Sequence, residues 1–128
     1  MQDKHLFEYA VIRVVPKVER EEFMNVGVVL YCANQDFLQV LFSINKARFC
    51  AFAPKLNVDE VEASLQSFKR ICDGGAQAGP IGLYPTAERF RWLTAARSTI
   101  IQSSCVHPGL CTDAQQTLLK LYNELVEG

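Results

Sequence analysis

Residues Asn25–Ile44 read NVGVVLYCANQDFLQVLFSI, two runs rich in Val, Leu and aromatic residues parted by a short polar step. Runs of this composition with so brief a break predict an antiparallel hairpin, Asn25–Ala33 followed by Asp36–Ile44. Asn34 is expected to supply the tolerance of positive φ that such a turn wants. Gly27 inside the first strand points to a bulge or a close backbone approach, since glycine packs nothing of its own there.

Upstream, LFEYAVIRVV from Leu6 to Val15 is apolar on both faces except for Glu8 and Arg13. That composition predicts a strand covered on both sides or lying centrally in a sheet. Pro16 ends it. The segment KVEREEF carries five charges in seven residues and reads as a short exposed turn or helical turn.

Downstream, the stretch around NKARFCAF and Pro54 reads as a connecting piece. Asn57 with Glu60 three residues later forms a capping-box pattern that opens a helix. Val58, Val61, Leu65, Phe68 and Ile71 then recur at three- and four-residue steps, and Gly74-Gly75 closes the element. AQAGPIGLYP is a loop, and Thr86 is placed to cap a helix through AERFRWLTA. STIIQSS, Ser98–Ser104, predicts a fourth strand, VHPGLCTD a turn-rich loop, and Thr112 or Asp113 the start of a last helix with Leu118, Leu121, Tyr122 and Leu125 at helical spacing. The expected fold is therefore α+β in a single domain over 1–128: an antiparallel sheet of about four strands with helices packed mainly on one face.

Length and composition are ordinary for a globular domain, 128 residues with 49% hydrophobic and 21% charged. Thirteen Lys and Arg nearly cancel 14 Asp and Glu, which removes the single-sign field that nucleic acid or anionic lipid would need. Nucleic-acid binding is disfavoured accordingly. No apolar run approaches the roughly 18 residues of a membrane span, and the start MQDKHLFEYA is polar where a signal peptide is apolar. A cytoplasmic location is expected, with no membrane partner. The five cysteines Cys32, Cys50, Cys72, Cys105 and Cys111 form no C-x-x-C pair and read as reduced thiols.

Four clusters carry candidate chemistry. In EREEFMNVG, Glu19, Glu21, Glu22 and Asn25 offer acidic and polar groups beside a strand, suited to acid–base work or a cation, against the plain reading of a solvated charged turn. In RFRWLTAARSTIIQSS, Arg89, Arg91, Arg97, Ser98 and Gln102 combine guanidinium and hydroxyl groups that suit an anion, against the plain reading of solvent-facing arginines. Cys105, His107 and Cys111 hold soft ligands but lack a fourth at zinc spacing, so no metal is assigned. As a nucleophile pair, Cys105 and His107 are expected on opposite faces of an extended segment, thiol apart from base. Tyr84, Phe90 and Trp92 join the arginines in an aromatic-cationic segment of the kind interfaces favour, against simple core packing. No P-loop, G-x-G-x-x-G or G-x-S-x-G pattern is present, and no cofactor is expected.

The stretches YAVIRVVPKVEREEFMNVGVVLYC and RFRWLTAARSTIIQSSCVHPGL resemble the signatures of the bacterial domain-of-unknown-function family three-zero-three-seven. That resemblance implies a small bacterial protein neighbouring a HipA-like kinase, which it would partner or regulate, and it draws attention to Glu22, Asn25, Gly27, Arg97, Ser98, Gln102 and His107. It implies no reaction. The leading expectation is a non-catalytic accessory or interaction subunit, able to form a homodimer by its sheet or by the Trp92 helix. The alternative is a small enzyme or binder of a phosphorylated metabolite, using Arg97, Ser98 and His107 for the anion and Glu22 for acid–base work.

Overall fold

The structure, a computed structural model, describes residues 3–16, 22–95 and 100–127. The predicted hairpin is present as β2 (Met24–Cys32) and β3 (Phe37–Phe42) in antiparallel register, Cys32 opposite Phe37 and Gly27 opposite Phe42. A single 3-10 turn at Ala33–Gln35 joins them, and Asp36, not Asn34, adopts positive φ, at 48°. The loop ends one residue later than a two-residue turn would, so the left-handed position falls on the aspartate, a residue that also tolerates it.

β1 (His5–Val14) lies beside β2 and is flanked on its other side by two short strands in succession, β4 (Ile101–Ser103) and β5 (His107–Cys111). All pairings are antiparallel, giving a five-stranded sheet. β5 lies in the segment expected to be a loop. Its Pro108 and Gly109 oppose strand formation locally, but on an edge strand a proline forfeits no ladder bond. Phe7 lies across Gly109, so the missing side chain is replaced by the partner's ring: a Cβ at 109 would sit 2.5 Å from Phe7 Cζ. Tertiary pairing overrides propensity here.

α1 (Lys46–Phe52) also replaces an expected connector. Asn45 caps it, its Oδ1 accepting from the Arg48 N–H at 3.1 Å, and Phe49 anchors it in the core. α2 (Val58–Asp73) runs as predicted from the Asn57 cap to Gly74, and α3 (Thr86–Thr94) follows. Thr86 does not cap α3; Pro85 holds that position and the Thr86 hydroxyl accepts from Arg89 instead. α4 (Ala114–Tyr122) starts at Asp113, whose Oδ1 accepts from the Gln116 N–H, and continues into a π turn over Asn123–Glu127.

The sheet is covered on both faces. Ala10, Ile12, Val14, Val29 and Val40 meet Phe49, Leu65, Phe68, Phe90 and Leu93 from α1, α2 and α3. Phe7, Val28, Leu30 and Cys32 meet Ala114 and Leu118 of α4 on the opposite face. Period-two alternation along β1 and β2 supplies both cores, which is why neither strand shows a polar face in the sequence. Each fully buried Leu contributes about 1.5–3 kcal/mol, and three of the four helices share one face.

Candidate functional site

The β1–β2 register slips by one residue between Ile12 and Arg13: Ile12 faces Gly27, but Arg13 faces Asn25. Val26 is the extra residue of a β-bulge, and it turns into the core beneath α2. Gly27 permits this because a Cβ there would come within 2.7 Å of the Leu41 carbonyl oxygen and 2.9 Å of Phe42 Cβ. Without the bulge, strict alternation would bury Asn25 under α2. With it, Asn25 shares the α4 face with Arg13, and its Nδ2 donates to the Leu125 carbonyl at 3.1 Å.

On the other side of β1, Gln102 is the ladder partner of Arg13. The two sequence stretches singled out for function therefore meet across Arg13, with Asn25 and Gln102 as its neighbours. Phe23, 48% exposed, lies with its ring centroid 4.1 Å from the Arg13 guanidinium carbon, a cation–π contact. Arg13 Nε and Asn25 Oδ1 are both shut off from solvent and have no hydrogen-bond partner. A buried donor or acceptor left unsatisfied costs about 1–3 kcal/mol. No carboxylate among the described residues pairs with Arg13. Beside this row, Phe23, Asn25, Arg48, Phe52 and Leu125 line a hollow of about 320 Å3.

His107 stands at the other end of β1, opposite Tyr9, their ring centroids 5.3 Å apart. Tyr9 and Arg13 are four residues apart on the strand, so His107 lies roughly 13 Å along the sheet from Gln102. These two candidates do not share a point. Cys105 Sγ, however, lies 3.8 Å from His107 Nε2, both side chains exposed. That overturns the expected separation of thiol and base: residues two apart in extended chain share a face. Cys111 is buried among the α4 core with Cys32, away from both, and burial followed by the neighbouring Cys32 raises its thiol pKa. Among the described residues no three His, Cys, Asp or Glu side chains converge as a metal would require.

Arg89 is fully engaged in the fold. Its Nη1 donates to the Ile71 and Cys72 carbonyls at 2.7 and 2.8 Å, Nε to the Tyr84 carbonyl at 3.0 Å and Nη2 to Thr86 Oγ1 at 3.1 Å. It closes the C-terminal end of α2, a fork well matched to several carbonyls at once, and so is withdrawn from any anion site. Arg91 is exposed on α3, and Glu22 is exposed just before β2. Arg97, Ser98, Glu19 and Glu21 lie outside the described residues.

Phe90 is core, stacked on Tyr31 with centroids 5.4 Å apart. Trp92 is not: it is 38% exposed and, with Ile100 at 41%, borders a groove of about 430 Å3 between α2, the end of α3 and β4. Val61, Phe68 and Ile71 form its floor, Ser64 and Ser67 its polar edge, and Glu60 is the only charged residue among its described lining. Tyr84 is exposed ahead of α3.

Sequence reading passed over Arg13 because it sits inside an otherwise apolar strand. The available signal was that very position: a charge in a strand buried on both faces needs a partner. No helix among the described residues is long and apolar enough to cross a membrane. No curated protein and no solved structure matches the chain. The family model described as Protein of unknown function (DUF3037) matches residues 9–126, a span that contains the bulge, Arg13, both of its ladder neighbours and the groove. By that match over most of its length, the chain belongs to the DUF3037 family.

Proposed function

We propose that the chain is a non-catalytic protein-interaction module that seats an apolar segment of a protein partner in the groove between α2, α3 and β4. The supporting observation is the exposure of Trp92 and Ile100 at the border of an apolar trough. Large aromatic and aliphatic side chains around a concave floor are what binding hot spots use. Glu60, the one charge in the described lining of the groove, favours a segment carrying a basic residue next to its apolar anchors. A HipA-like kinase, the neighbour that the family resemblance implies, is the first partner to test.

Trp92 is the single tryptophan, so its emission reads the groove directly. Titrating the chain with such a kinase, followed through a selectively excited Trp92 analogue, should give a saturable blue shift. Ile100→Glu should weaken binding by at least about tenfold and Glu60→Lys by less, as expected for a central apolar contact and a rim charge. A complex that forms with Trp92 emission unmoved and with Ile100→Glu binding as wild type would remove the groove from the interaction.

A further inference from the structure

Cys105 and His107 stand together on the surface: Sγ and Nε2 are 3.8 Å apart, both side chains are exposed, and neither lines the groove or the hollow beside Asn25. A small molecule in solution reaches the sulfur without any movement of the chain. The attacking form of a cysteine is its thiolate, and a free thiol is mostly protonated at neutral pH, so a base beside it sets the rate. With its ring proton on Nδ1, the imidazole of His107 turns the Nε2 lone pair towards the thiol and can take the proton from Sγ. Pairing of His107 with Tyr9 across the β1–β5 ladder holds the imidazole there, and the Tyr9 ring, its centroid 5.3 Å from that of His107, favours the imidazolium that results.

The chain offers Cys105 no sulfur of its own. Cys32 and Cys111 are buried in the core under α4, Cys72 is buried in the core on the opposite face, and Cys50 is exposed on α1, across the sheet. A disulfide at Cys105 therefore takes its second sulfur from another molecule. Cys50 also lacks a base of this kind: the second histidine of the chain, His5, lies in the sheet and accepts at Nδ1 from Asn34 Nδ2 at 3.3 Å.

We infer that Cys105, with His107 as its base, is a site of reversible modification by low-molecular-weight disulfides. His107 Nε2 takes the Sγ proton, and Sγ attacks one sulfur of the incoming disulfide. The Sγ–S bond forms as the S–S bond of the reagent breaks, and the departing thiolate takes the proton from the imidazolium and leaves as a thiol. Cys105 is oxidised to a mixed disulfide and the released half is reduced, so no other oxidant enters, and excess thiol runs the exchange backwards.

The test treats the reduced full chain at pH 7 with glutathione disulfide and, as an uncharged probe, hydroxyethyl disulfide, and follows each mixed disulfide by mass spectrometry of acid-quenched peptides. Cys50, exposed but without an imidazole, is the comparator in the same chain. With both probes Cys105 should be modified about tenfold faster than Cys50, the gain from a proton already taken, less the lower nucleophilicity that goes with it. Excess reduced glutathione should remove the label. His107→Gln should bring Cys105 down to the rate of Cys50 and leave Cys50 unchanged. Tyr9→Leu should slow Cys105 by about threefold, the worth of one exposed cation–π contact, and Tyr9→Phe should restore the rate. In urea the excess should vanish, because the β1–β5 pairing no longer holds the ring over the thiol. Equal rates at the two cysteines of the folded wild type, an excess that survives unfolding, or a His107→Gln chain as fast at Cys105 as the wild type would overturn the assignment; the wild-type comparisons decide it even where a variant fails to fold. The groove proposal is read at Trp92 and stands or falls separately.

Discussion

The Ser104 hydroxyl accepts from the backbone N–H of Val11 at 2.8 Å, and the Ser104 N–H donates back to the Val11 carbonyl at 2.8 Å. A side chain and a peptide group thus complete a pairing across the gap between β4 and β5, where the chain leaves β1 for three residues. The hydroxyl in turn donates a hydrogen bond to the Cys105 carbonyl at 2.9 Å, so the buried Ser104 side chain is satisfied as both acceptor and donor.

Ser104→Ala should lower stability by about 1–3 kcal/mol, because it strands the Val11 N–H in the interior. The midpoint of urea unfolding should fall with the slope unchanged. An unshifted midpoint would mean that the two edge strands hold β1 without this link.

Gly109→Ala should cost about 1–3 kcal/mol, since the new methyl group meets the Phe7 ring at 2.5 Å and the ring has no flexible end to withdraw. Combined with Phe7→Leu, the two losses should add to less than their sum. A double-mutant cycle in thermal or urea unfolding gives the coupling directly; strict additivity would place the ring elsewhere.

Arg89→Lys should destabilise by about 1.5–3 kcal/mol, because an ammonium cannot reach the Ile71, Cys72 and Tyr84 carbonyls together. Amide exchange should quicken in the last turn of α2, where the Ile71 and Cys72 carbonyls lose their donor, and stay as in the wild type in the β1–β2 ladder. Unchanged stability with exchange in α2 as in the wild type would mean that the Arg89 fork does not hold this helix end.

Cys72 has its thiol pushed up to about 12 from the ordinary 9.0, first by burial and then by the Asp73 carboxylate. The native state holds this proton more tightly than the unfolded chain, so stability is unaffected by Cys72 below about pH 9 and falls as pH rises from there towards 12. The difference between wild type and Cys72→Ala should therefore depend on pH only in that window. Exposed Cys50 and Cys105 should react with a thiol reagent at neutral pH in the folded protein, and Cys72 only after unfolding.

Elements with strong local signals were legible in the sequence. Val61, Leu65, Phe68 and Ile71 repeat at helical spacing behind the Asn57 cap, and the Val-rich and aromatic runs of β2 and β3 with their short polar break need no distant partner to be read. β5 was illegible because HPGLC becomes a strand only when Phe7 lies over Gly109 and an edge position excuses Pro108. α1 was missed because seven residues carry little periodicity, and only the Asn45 cap marks its start. Asn25 and Gln102 stood out as residues, but nothing along the chain says that Arg13 lies between them.

Side-chain chemistry along the chain was enough to determine the α+β class, the hairpin, the long helix and the shortage of net charge, because propensity, capping and periodicity act between near neighbours. Register decided the rest. One extra residue at Val26 reverses which side of the sheet Asn25 occupies, and two strands far apart in sequence set their polar groups on either side of one arginine. Such a placement depends on hydrogen bonds between distant segments, and those exist only once the sheet has formed.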